Sequence, residues 1–176
     1  MSGMTKRLRA GCPEILILCG GSLFIAMLWL SAYFEADIRW LHFFQSWLYV
    51  AAIALSWRLN RWGYFIGLTT AALWDYTGLF VNTFLRSGIH WLAVSIQQHH
   101  LMRADQVLAI PAWVGNFLVV VGSVWGYLRL PEKSAGDLVR VGLALVGTMA
   151  FFAADMALFQ PRYLGMFRGL LHPHWP

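Results

Sequence analysis

Five apolar stretches, at 14–34, 40–57, 62–85, 107–128 and 139–159, take up most of this chain and decide its solvent. A helix rises about 1.5 Å per residue, so a hydrocarbon layer of about 30 Å needs about 20 apolar residues. All five stretches reach or approach that length. Inside lipid only a helix satisfies its own backbone groups within one segment. The sequence therefore predicts an all-α integral membrane bundle with five transmembrane helices.

Composition agrees. Hydrophobic residues make up 59% and charged residues 12% of the chain, against about 45–50% and about 25% in soluble domains. Five spans in 176 residues leave no room for a separate soluble domain, so residues 1–176 read as a single transmembrane domain. The formal charge of +5 comes from Lys and Arg at span ends, with no basic stripe on a soluble face. That pattern selects the lipid bilayer and its anionic headgroups as partner and excludes nucleic acid. Lys6, Arg7 and Arg9 precede the first stretch as they would in a signal peptide. The run behind them is too long for a cleavable leader and no Ala-x-Ala follows, so a retained first span is expected. Cys12 and Cys19 lie two helical turns apart, about 10 Å along an axis, too far for a disulfide.

Alternating spans put eight basic residues on the side of the N-terminus and five on the other. The positive-inside rule then gives a cytoplasmic N-terminus and an external C-terminus in a cell inner membrane. Pro13 and Pro111 suit the first turns of spans 1 and 4, while Pro131 and Pro161 stop spans 4 and 5. Ser134-Ala-Gly-Asp137 reads as a capping-box-like start to span 5. Within the 87–105 connection, Ile89, Leu92, Ala93 and Ile96 follow helical spacing and predict a short helix in the outer interface. Trp29, Trp40, Trp47, Trp57, Trp62, Trp91 and Trp125 fall near span ends, as an aromatic belt requires; Trp74 and Trp113 lie deeper.

The polar exceptions inside the spans carry the functional signal. Gly67, Ala71, Asp75, Gly78 and Asn82 recur at helical spacing and share one face of span 3. An aspartate near the bilayer centre costs about 2.5–3.5 kcal/mol on insertion scales, so Asp75 should face the bundle. Span 4 places Asn116 and Ser123 on one face, with Gly115, Gly122 and Gly126 nearby, and span 2 begins with His42 and Gln45. Asp155 occupies the last turns of span 5, close enough to the interface to be solvated. These groups concentrate in the outer half. A ligand site is thus expected around Asp75, Asn82, Asn116, His42, Gln45 and Asp155, opening outward.

All six histidines fall on the same predicted side. His99 and His100 could meet His172 and His174 around a metal ion, since neutral imidazole is a common ligand. No HExxH or paired-Cys motif accompanies them, and no cofactor is clearly implied. Nucleophilic triads, phosphate-cradling glycine loops and carboxylate dyads do not occur. The first functional expectation is therefore a non-catalytic accessory or structural subunit, partnering other membrane proteins or copies of itself. The alternative is a small-molecule or ion transporter or binding protein using the Asp75 site. A third is a metal-dependent membrane enzyme using the outer histidines.

Overall fold

Pro13 and Glu14 set where the first helix begins. In α1 (Cys12–Phe34), Pro13 sits in the first turn, where a missing N–H costs nothing, and Glu14 reaches back to accept the Gly11 N–H at 2.6 Å. The computed structural model describes residues 10–171, and every regular element among them is helical. After α1 come α2 (Arg39–Trp57), α3 (Arg61–Tyr76), a π turn at Thr77–Val81 and α4 (Phe84–Gln98). The chain continues through α5 (Ala104–Val107), α6 (Ala109–Arg129), α7 (Gly136–Phe159) and α8 (Gly165–Leu171).

Three segments, Cys12–Phe34, Ala104–Arg129 and Gly136–Phe159, are long and apolar enough to cross a membrane. α2 has 19 residues, but its buried face carries His42, Gln45, Tyr49 and Ser56, which lowers its hydropathy. α3 has only 16 residues, about 24 Å. The stretch 62–85 was expected as one continuous span, and it is not. Its helix loosens into the π turn, and Asn82 then adopts an extended backbone that breaks it. Asn82 Oδ1 accepts the Phe84 N–H at 2.9 Å and starts α4 in a new direction. The small-residue face of α3 holds from Gly67 to Asp75 and ends there.

α3 is the central helix. It packs against α2, α6 and α7, and its Gly67, Thr70 and Ala71 are buried. The most extensive helix contact is between α1 and α6, whose backbones touch through glycine. A methyl group on Gly115 would stand 2.8 Å from the Gly20 carbonyl, and one on Gly122 would stand 2.7 Å from the Pro13 carbonyl. Phe24, Leu28, Tyr49, Ala71 and Val119 form the main core cluster, with the Phe24 and Tyr49 rings stacked at 4.5 Å.

The helix expected in 87–105 begins earlier, at Phe84, and folds back on the start of α6 as a hairpin. Gly88 lies against the Gln106 carbonyl and Ala109. Ser95 Oγ accepts the Met102 N–H at 2.9 Å and donates to the Trp91 carbonyl at 2.7 Å, closing the turn.

α1, α3 and α7 run one way and α2 and α6 the other, so the bundle has a Glu14 end and a His42 end. The polar groups of the spans were expected to concentrate in the outer half, but two carboxylates are buried at the Glu14 end. Glu14 is 1% exposed and accepts from the Tyr64 hydroxyl at 2.6 Å, with Arg129 at 3.4 Å. Asp137 is also buried at that end, where it accepts from Arg61, Arg140, the Tyr127 hydroxyl and the Ser134 N–H. Glu14 was invisible as a buried acid because its partners lie 50 and 115 residues away. The Ser134–Asp137 pairing is the reach-back half of the expected capping box.

Candidate functional site

Helical spacing puts His42 and Gln45 one turn apart on α2, facing inward. From α3 comes Asp75, one residue before its last, and from α6 comes Asn116, two turns in. These side chains meet in one cavity of about 670 Å³ in the His42 half of the bundle. That volume lies inside the range of about 300–1,000 Å³ usual for small-molecule pockets. His42, Gln45, Asp75, Asn82 and Asn116 all line it, together with aromatic walls from Phe24, Trp74 and Trp113. Asp155 does not line it. It lies on α7 beside Gln45 and is 4% exposed, so its expected solvation is overturned.

The polar groups of this cavity fall into two kinds, held and unheld. Asn116 Oδ1 accepts the Tyr49 hydroxyl at 2.7 Å, which fixes the amide beside Asp75. His42 Nδ1 lies 2.9 Å from the Leu28 carbonyl and 3.0 Å from Ser31 Oγ. A carbonyl can only accept, so neutral His42 carries its proton on Nδ1 and keeps a lone pair on Nε2. Asn82 is committed to capping α4.

By contrast, Gln45 is fully buried, and among the described residues neither its amide oxygen nor its nitrogen has a hydrogen-bond partner. The same holds for Asp75 Oδ1, Trp74 Nε1 and Trp113 Nε1, and for both carboxylate oxygens of Asp155. A buried polar atom left unpaired costs about 1–3 kcal/mol. Native interiors keep few of them. Packed protein closes off each of these atoms, so none of them faces the open volume; the Asp75 residue is nonetheless partly exposed and lines the cavity.

The mouth draws on connections and short helices. Glu35 and Thr83 come from connections, Asp105 and Gln106 from α5, Tyr163 from the helical turn before α8 and Met166 from α8. Arg162 donates to Glu35 and to Asp37, both at 2.7 Å, and Gln160 donates to the Asp37 carbonyl at 2.7 Å. Tyr76 anchors α8 by donating to the Leu170 carbonyl at 3.3 Å. Desolvation, followed by the charge of Glu35, raises the Tyr163 hydroxyl above the usual phenol value.

The histidine cluster is not assembled among the described residues. His90, His99 and His100 are exposed, and His172 and His174 lie outside the described residues. No group of three or more His, Cys, Asp or Glu converges among the described residues. The mouth residues Glu35, Asp105 and Tyr163 escaped the sequence reading because they lie in the short connecting segments between spans, where a polar residue is unremarkable. Trp113 was legible as a deep tryptophan, but not its unpaired N–H. No protein-family model matches the chain, no curated protein matches it, and no solved structure matches it.

Proposed function

We propose that this chain is a five-span, non-enzymatic membrane protein that binds a small amphipathic molecule in the cavity above Asp75. The observation that carries the reading is a cavity of about 670 Å³ lined by the partly exposed Asp75 together with His42 and Asn116, among the Phe24, Trp74 and Trp113 rings. Intramembrane ionisable groups are functional by default, because lipid penalises them. The five-span count is supported by the packing of α2 and α3 among longer apolar helices. A central helix such as α3 meets little lipid and does not need their hydropathy. The basic bias at the Glu14 end supports a cytoplasmic N-terminus in a bacterial-type inner membrane, with the cavity external. In this placement α4, with Ile89 and Ile96 exposed, lies at the outer interface.

A thermal-shift screen of the detergent-purified chain against drug-sized amphipathic compounds tests the reading. Compounds should raise Tm for the native protein and not for Ala112→Phe, whose ring would occupy the cavity. A screen in which no compound stabilises the native chain selectively would sink it. Reporter fusions to the C-terminus test the orientation: activity of a cytoplasm-only reporter there reverses it. The accessory-subunit expectation gains no separate support, since the exposed apolar faces of α1, α6 and α7 suit lipid as well as a protein.

A further inference from the structure

The chain is basic, yet its cavity is not. Glu35, Asp75 and Asp105 line it, and among the described residues no Lys or Arg does. The two acids at the mouth are neutralised from outside, Glu35 by Arg162 and Asp105 by Arg103 at 2.8 Å. Asp75 has no cationic partner among the described residues, only the Asn116 amide beside it and an unpaired Oδ1. The wall around this carboxylate is aromatic: Trp74 packs at 5.6 Å against Phe24, and Trp113 also lines the cavity.

Resting on the cavity reading above, we propose that the cavity selects a lipophilic ammonium ion, with its N–H groups on the Asp75 carboxylate and its hydrocarbon against Trp74 and Trp113. A charge-assisted hydrogen bond is about twice as strong as a neutral one. Low-dielectric walls strengthen the attraction further. Aromatic faces favour cations by about 0.5–2 kcal/mol, whereas a carboxylate ligand would meet Asp75 with like charge. The volume accommodates a compact cage or fused-ring amine with space to spare.

Three isosteric probes separate this from the parent reading: 1-adamantylamine, 1-adamantanol and 1-adamantanecarboxylic acid. Binding is measured by equilibrium dialysis of the purified full chain, above partition into empty micelles. The amine should bind about tenfold or more tighter than the alcohol, the worth of one hydrogen bond to a charged group. The acid should bind more weakly than either. In Asp75→Asn the amine should fall to the alcohol's affinity while the alcohol is unchanged. Equal binding of amine and alcohol, or preference for the acid, overturns the ammonium assignment and leaves the cavity reading standing. An amine preference that survives Asp75→Asn overturns the assignment to Asp75. Binding of none of the three removes the cavity reading and this inference together. The native amine-to-alcohol ratio needs no variant, so it decides even where Asp75→Asn does not fold.

Discussion

Gly→Ala substitutions should change sign with position along this bundle. At Gly20 a methyl group would stand 2.5 Å from the Gly115 carbonyl oxygen, 2.8 Å from Leu118 Cβ and 3.0 Å from the Val119 backbone nitrogen. Carbon atoms in good contact sit about 3.5–4.0 Å from their neighbours, so α1 and α6 must separate by about 1 Å. Two of those three obstacles are backbone, which cannot rotate aside. Overpacking of this kind costs about 1–3 kcal/mol, and the absence of a flexible escape puts Gly20→Ala near the top of that range. Against it stands the helix gain of alanine over glycine, about 0.5–1 kcal/mol. The net is a loss of about 2 kcal/mol, or a Tm lower by about 4–8 °C for a chain of this size. Gly115→Ala, 2.8 Å from the Gly20 carbonyl, should behave alike. The double variant should lose less than the sum, because one separation relieves both clashes. Gly142 and Gly147 on α7 supply the control: a methyl there meets nothing within 4 Å. There the helix gain stands alone, and Tm should hold or rise by up to about 4 °C. Thermal unfolding of the four single variants in one detergent is the assay. Equal shifts at all four positions, or full additivity at Gly20 and Gly115, would refute the close α1–α6 crossing.

Three further outcomes follow from named contacts. Tyr64→Phe removes the 2.6 Å donor to buried Glu14 and should cost about 1.5–3 kcal/mol; a double-mutant cycle with Glu14→Gln should show coupling, and its absence removes this pair from the stability account. Gln45→Leu exchanges two unpaired buried atoms for an apolar side chain of similar size. It should stabilise the chain by about 1–3 kcal/mol while leaving small-molecule binding unchanged, and lower stability would mean that Gln45 already pairs with the neighbouring Asp155. Cys12 and Cys19 are free and exposed on α1, about 10 Å apart along the axis; in native membranes a maleimide should label Cys12 at the water boundary and leave Cys19 unmodified in lipid. Equal labelling of both would place the first half of α1 in water.

Helix existence was legible where the apolar run did the work. α1 and α7 begin within about three residues of the expected starts, and Pro13, Pro131 and Pro161 punctuate as their chemistry requires. What sequence periodicity could not supply was the fate of 62–85. Nothing in Thr77-Gly-Leu-Phe-Val81 is polar enough to announce a break, and the signal lies in one residue, Asn82, whose side chain bonds more readily to a nearby backbone N–H than to a distant helix. Convergence of His42, Gln45, Asp75 and Asn116 was readable as depth, since depth follows from counting turns. The Glu14 network was not, because its other members sit in separate helices, at Tyr64 and Arg129.

The break at Asn82 and the cavity have one cause. Had α3 continued straight to residue 85, its final turns would have run on beside α6 and left α4 no room to fold back on Gln106 and Ala109. Instead the π turn widens the helix at Gly78, where an added methyl meets nothing within 4 Å, and the chain breaks at Asn82, about two turns after Asp75. Asp75 therefore sits just before the π turn, beside the volume that the break leaves open. π segments frequently mark functional sites for this reason: they trade regular packing for open volume beside a side chain. Here the side chain is a carboxylate, and the volume beside it is the cavity.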